Sequence, residues 1–256
     1  MKDVLYVSFL LFFCGCATGS FLNCLTDRMI RKESLFERSM CVSCKHVLRS
    51  IDMIPVFSYL FLKGRCRYCN EKIDPLCFYS ELAGGILFLL LYCRFRLGWE
   101  LFCYLTVACI LLTIALYDAK SMLIPDVAML LLFVTRVSCF FLLKEKAKLF
   151  MFRLSGSFLL SVFLYLFVFF SERLSRKEMM GRGDILLIFL LSSFMNISAS
   201  LLALLLSCLI GVAYGVPVTK KQQCCFPFAP ALCLAYLTMI LCGDQILRVY
   251  LQLFQK

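Results

Sequence analysis

Residues 101–126 read LFCYLTVACILLTIALYDAKSMLIPD. From Leu101 to Tyr117 no residue is charged; then Asp118 and Lys120 arrive together, and Pro125-Asp126 opens the next apolar run. At a rise of ~1.5 Å per residue such a run is close to the length that crosses a ~30 Å hydrocarbon core, where a helix satisfies its own backbone. The stretch reads as a membrane helix that ends on an acid.

Working outward, 62% of the 256 residues are hydrophobic, and the apolar runs fall at about 4–23, 80–97, 100–117, 127–143, 156–171, 185–197, 198–216 and 227–243. The fold class expected is an all-α polytopic membrane protein with about eight transmembrane helices and one long polar insertion. Three parts follow: a first transmembrane helix at 1–23, an insertion at 24–79 and a membrane core at 80–256. The run Val4 to Leu22 has no small-residue cleavage site after it and reads as a retained helix. Only Ser192, Ser193, Asn196 and Ser198 interrupt 185–216, so that segment forms either one long helix or two short ones.

The net charge of +11 does not point to nucleic acid, because the bases sit in short segments between apolar runs, where they set topology beside anionic membrane lipid. With eight spans, the insertion, Lys120, the group Arg173, Arg176, Lys177 and Arg182, and the pair Lys220 and Lys221 share one face, which the positive-inside bias makes cytoplasmic. Both ends of the chain then lie on the other side. Lys144, Lys146, Lys148 and Arg153 fall against this bias and read as an interfacial amphipathic segment. Arg136 is left inside a span with no assigned role.

This orientation brings Asp118, at the end of one span, and Asp184, at the start of another in MMGRGDILLI (179–188), to one cytoplasmic edge. Either acid alone is equally well a solvated loop residue or a helix cap. Two neighbouring carboxylates, however, share a proton, and one then takes a proton from water while the other donates to a scissile carbonyl. Helix dipoles assign Asp184 as base and Asp118 as acid. Gly181 and Gly183 would admit an extended substrate and unusual dihedrals. Asp126 after Pro125 reads as ordinary helix-start chemistry. Arg182-Gly183-Asp184 as an adhesion tripeptide would need an extracellular loop and is set aside. A transporter or scaffold with paired acids is the alternative, but it would keep its ionisable groups near the bilayer midplane.

Cys41-Val42-Ser43-Cys44 and Cys66-Arg67-Tyr68-Cys69 form two Cys-x-x-Cys pairs separated by residues 45–65. Four thiolates so placed close a tetrahedral structural zinc site. A redox role fits less well in a loop assigned to the reducing cytoplasm. The other cysteines, such as Cys14, Cys103, Cys109 and Cys208, read as small hydrophobes in spans.

Six ordered segments together resemble the bacterial type IV prepilin peptidases, a family of membrane aspartic proteases of the GxGD type: 19–28, 38–73, 80–82, 117–126, 178–184 and 227–232. The resemblance implies a multi-pass protein of the bacterial cytoplasmic (inner) membrane that removes a short basic leader from type IV prepilin or pseudopilin precursors at the cytoplasmic face. Asp118 and Asp184 match the catalytic pair, and Cys41, Cys44, Cys66 and Cys69 match the metal-binding cysteines. In bifunctional members S-adenosylmethionine then methylates the new N-terminus; that cofactor is implied by the resemblance alone, and a peptidase-only member is the alternative. Many relatives carry Lys where this chain has Leu186 and Gly where it has Ala229.

Overall fold

The computed structural model describes residues 2–34, 38–175, 180–219 and 227–254. Arg176, Lys177, Lys220 and Lys221, whose charges entered the topology expectation, and Glu178 and Met179, which open the 178–184 segment, lie outside them. The described residues are helical with no strand, as expected: α1 (Lys2–Arg31), α2 (Phe57–Phe61), α3 (Pro75–Phe95), α4 (Trp99–Ser121), α5 (Asp126–Leu142), α6 (Ala147–Ser175), α7 (Arg182–Ser192), α8 (Ile197–Thr219) and α9 (Ala229–Phe254). Leaving aside the single turn of α2, eight helices fall where the eight apolar runs were read.

Of these, α1 from Val4, α3, α4 and α6 are long and apolar enough to cross a membrane, with shorter apolar stretches at Ile197–Ala213 and Ala229–Gly243. The segment 185–216 is two helices, broken between Ser192 and Ile197. At 11 residues α7 rises only about 16 Å, half a hydrocarbon core.

The chain divides into two compact units, Met1–Leu116 and Tyr117–Lys256. In the first, α1 packs along α3 at backbone distance. A Cβ at Gly15 would stand 2.5 Å from the Gly84 carbonyl oxygen, and one at Gly19 would strike the Ser80 carbonyl. Only glycine admits helices this close. Residues 32–74 join them, ending at Asp74, whose side chain accepts the Leu76 N–H at 2.9 Å and starts α3 with Pro75 in its first turn. In the second unit α5, α6, α8 and α9 surround α7, whose Leu187, Ile188, Leu190 and Leu191 are buried.

Candidate active site and metal centre

Asp118 lies in the last turn of α4, and Asp184 in the first turn of α7, after a turn closed by the Asp184 N–H to the Gly181 carbonyl at 3.1 Å. Both belong to the second unit and lie close enough for their charges to interact. Asp118 is buried and its Oδ2 accepts the Ala229 N–H at 3.0 Å, so the free donor at the start of α9 is spent on the carboxylate. A donated N–H suits the ionised form of Asp118. At Asp118 this opposes the helix dipole, which made it the acid, and Asp184 has a backbone N–H of its own beside it, that of Gly181.

One face of α9 serves the whole pair. Ala229 reaches Asp118, buried Cys233 lies within the electrostatic reach of both carboxylates, and the Tyr236 hydroxyl meets Ser192 Oγ at the far end of α7, 2.8 Å away. Their i, i+4, i+7 spacing was the available sequence signal for these three residues.

The two glycines work through space and not through dihedrals. Gly181 has φ −64°, open to any residue, but a Cβ there would stand 3.1 Å from Asp184 Oδ2; one at Gly183 would pack on Ile124. Asp126 is exposed in the first turn of α5 behind Pro125, as helix-start chemistry requires. Leu186, half exposed, lines an apolar groove of about 420 Å3 with Phe158, Val162, Tyr165, Ile185 and Phe189.

In the insertion, the two knuckles repeat one geometry. Cys41 accepts the Lys45 N–H at 2.9 Å and donates to the His46 carbonyl; Cys66 accepts the Asn70 N–H at 3.0 Å and donates to the Glu71 carbonyl. Lys45 and Asn70, each directly after a second cysteine, both take left-handed φ, 58° and 61°. All four Sγ atoms lie within 4.8 Å of one another, and Cys41 and Cys69 are 3.8 Å apart. Thiolates held at ~2.3 Å by a tetrahedral zinc would stand about 3.8 Å apart, so the cluster fits such an ion. The Cys44 N–H pulls the Cys41 thiol down to about 7. Cys69 is pushed up to about 12, the Glu71 N–H that favours its thiolate being outweighed by burial and by the neighbouring sulfurs. A dication bound there would relieve this crowding by displacing the remaining protons.

Around the knuckles, His46 and Tyr68 stack at 3.7 Å, and Asp52 accepts from Arg67 Nε at 2.7 Å and the Tyr68 hydroxyl at 3.1 Å. Glu81, buried on α3, takes the Ser20 hydroxyl at 2.7 Å and the Val56 N–H at 2.6 Å, holding Val56 at a left-handed φ of 66° that a β-branched residue rarely adopts. Sequence reasoning gave Glu81 and Asp52 no role.

Two family models match the chain: the bacterial peptidase A24 N-terminal domain over residues 13–95 and the type IV leader peptidase family over residues 105–216. A prepilin leader peptidase/N-methyltransferase of Pseudomonas aeruginosa is 32% identical over 93% of this chain and 91% of its own. The chain belongs to the type IV leader peptidase family. Its similarity extends to proteins of the same name from Aeromonas salmonicida, 30% identical over 86% of this chain and 77% of the relative, and Bacillus subtilis, 28% identical over 95% and 98%. No solved structure matches the chain. The first family model covers the knuckles and Glu81; the second covers both aspartates and α7 and stops short of α9. Family membership and the apolar helices together make this a membrane protein of the prepilin peptidase kind.

Proposed function

We propose that the protein is a membrane aspartic endopeptidase that removes the short basic leader of type IV prepilin or pseudopilin precursors, with Asp118 and Asp184 as its catalytic pair. The observation that carries the reading is the convergence of the two acids in one compact unit with Ala229 N–H bound to one of them. In this scheme the Asp118 carboxylate takes a proton from the attacking water as its oxygen bonds to the scissile carbonyl carbon. Protonated Asp184 gives its proton to the carbonyl oxygen. Collapse of the tetrahedral intermediate returns that proton to Asp184 and passes the one held by Asp118 to the leaving amine.

The remaining assignments rest on family membership and on the arguments from charge. They are a bacterial inner-membrane location, the dyad at the cytoplasmic face, anionic lipid beside the basic loops, about eight crossings, and a division into first helix (1–23), zinc-binding insertion (24–79) and peptidase core (80–256). Zinc is the structural ion proposed for Cys41, Cys44, Cys66 and Cys69; four sulfurs leave no open position, so its chemistry is to fix the insertion. Methylation of the new N-terminus from S-adenosylmethionine is proposed from the names of the relatives, and no residue is assigned to the cofactor.

The test is co-expression with a pilin-like precursor, reading the precursor's N-terminus by mass spectrometry. The expected result is leader removal by the parent and none by Asp118→Asn or Asp184→Asn; one added methyl group on the mature product identifies the second activity. Cleavage that survives both substitutions would overturn the dyad.

A further inference from the structure

Beneath the dyad, at the opposite end of α7, lies an ionic cluster that the proposed chemistry does not use. Arg136, buried on α5, donates from Nε to the Ser193 carbonyl at 2.9 Å and from Nη2 to Glu145 at 2.8 Å. Its guanidinium lies 4.6 Å from the Phe150 ring centroid and 5.4 Å from that of Phe194. Glu145 also pairs with Arg153 at 2.9 Å, and Arg153 Nε reaches Asn196 at 3.4 Å. We infer that Arg136 is a positioning residue for Asp184: by gripping the C-terminal end of α7 it fixes the carboxylate at the other end relative to Asp118.

The inference rests on the catalytic role proposed for Asp184. A helix end leaves carbonyls without partners, and those of α7 fall at Ser193, about half a hydrocarbon core from its start. Two guanidiniums against one carboxylate leave an excess of positive charge where the helix dipole is negative. Asp184 and Ser193, the C-cap, are nine residues apart along one regular helix, ~14 Å, and Leu187, Ile188, Leu190 and Leu191 between them are buried. A shift at one end therefore moves the other. Tyr236 on Ser192 supplies a second hold from α9, and Arg136 ties this end to α5, whose own start follows Asp118 through the short 122–125 loop.

Arg136→Met is a usable variant because Glu145 keeps Arg153 as its counter-ion and is not left bare in the interior. Arg136→Lys, with charge but no fork, can serve Glu145 or Ser193 but not both. Two readouts are needed. In the proposed peptidase assay, Arg136→Met is expected to lower kcat by about 10- to 100-fold with KM unchanged, and Arg136→Lys to recover part of it. Independently of activity, a Cβ at Gly183 would stand 3.6 Å from Ile124 Cβ, within disulfide range. The Ile124→Cys/Gly183→Cys pair therefore reports where the N-terminal end of α7 sits, read in membranes as the cross-linked peptide by mass spectrometry. Arg136→Met is expected to slow that cross-link several-fold. An unchanged cross-linking rate, or an unchanged kcat, overturns the positioning role. A parent that cleaves no precursor overturns the peptidase reading instead, and the cross-linking rate then decides the clamp by itself.

Discussion

Each carboxylate of the site has a backbone N–H beside it. Asp118 accepts that of Ala229, the first residue of α9, and Asp184 that of Gly181. Proline is tolerated in the first turn of a helix, so Ala229→Pro deletes the donor without breaking α9. A hydrogen bond to an ionised group contributes about 1.5–3 kcal/mol. Precursor cleavage should therefore fall by about 10- to 100-fold in Ala229→Pro, while Ala229→Gly, which keeps the N–H, should stay near the parent rate. Steady-state kinetics on a purified precursor separate the two. At this scale the acids were legible from the sequence because each sits where an apolar run meets a polar one. Their partners were not: Ala229 lies 111 residues from Asp118, and Ser193 lies 57 from Arg136. No local pattern records contacts at such separations.

Among the elements, the insertion and α7 depend on very different supports. Two knuckles of one geometry, with Lys45 and Asn70 in the left-handed region, bring four cysteines together, and the zinc proposed there would fix the fold of the insertion. Purified protein is expected to hold one zinc per chain. A strong chelator should open the insertion to protease within 38–73 and leave the membrane helices intact, and zinc affinity should fall as pH falls because protons compete for the thiolates. Metal analysis and limited proteolysis check both. The return of the insertion toward the membrane hangs on Glu81. Glu81→Ala leaves the Val56 N–H unpartnered, at a cost of about 1–3 kcal/mol, and should lower the temperature at which that protease site opens. The knuckles were read from spacing alone. The reach of α1 to Arg31 was not, because it runs on through polar residues, which propensity does not forbid and hydropathy does not signal.

For the molecule as a whole, the exposed surface is itself apolar. Phe158, Phe163, Phe167 and Phe170 stand out from α6, and Phe9, Leu5 and Tyr6 from α1. A surface of that kind belongs in lipid, so alkaline carbonate should leave the protein in the membrane pellet and only detergent should release it, as fractionation and immunoblotting would show. The all-helical class followed from composition. The half-length of α7 did not, since 185–216 is nearly uniform in hydropathy and only the serines at 192, 193 and 198 with Asn196 marked the break. Of the basic residues after α5 that fell against the charge bias, Arg153 is a counter-ion to Glu145 and not a topology signal.

That cluster bears on how the chain enters the membrane during synthesis. An arginine at the centre of a helix adds about 2.5–3.5 kcal/mol to its insertion. Glu145 follows nine residues later, in the turn that links α5 to α6, so the counter-ion leaves the ribosome almost together with the charge it offsets. Arg136 and Glu145 can thus be handed to the bilayer as a neutralised pair before α7 has been made. When α7 arrives, it finds its anchor already waiting.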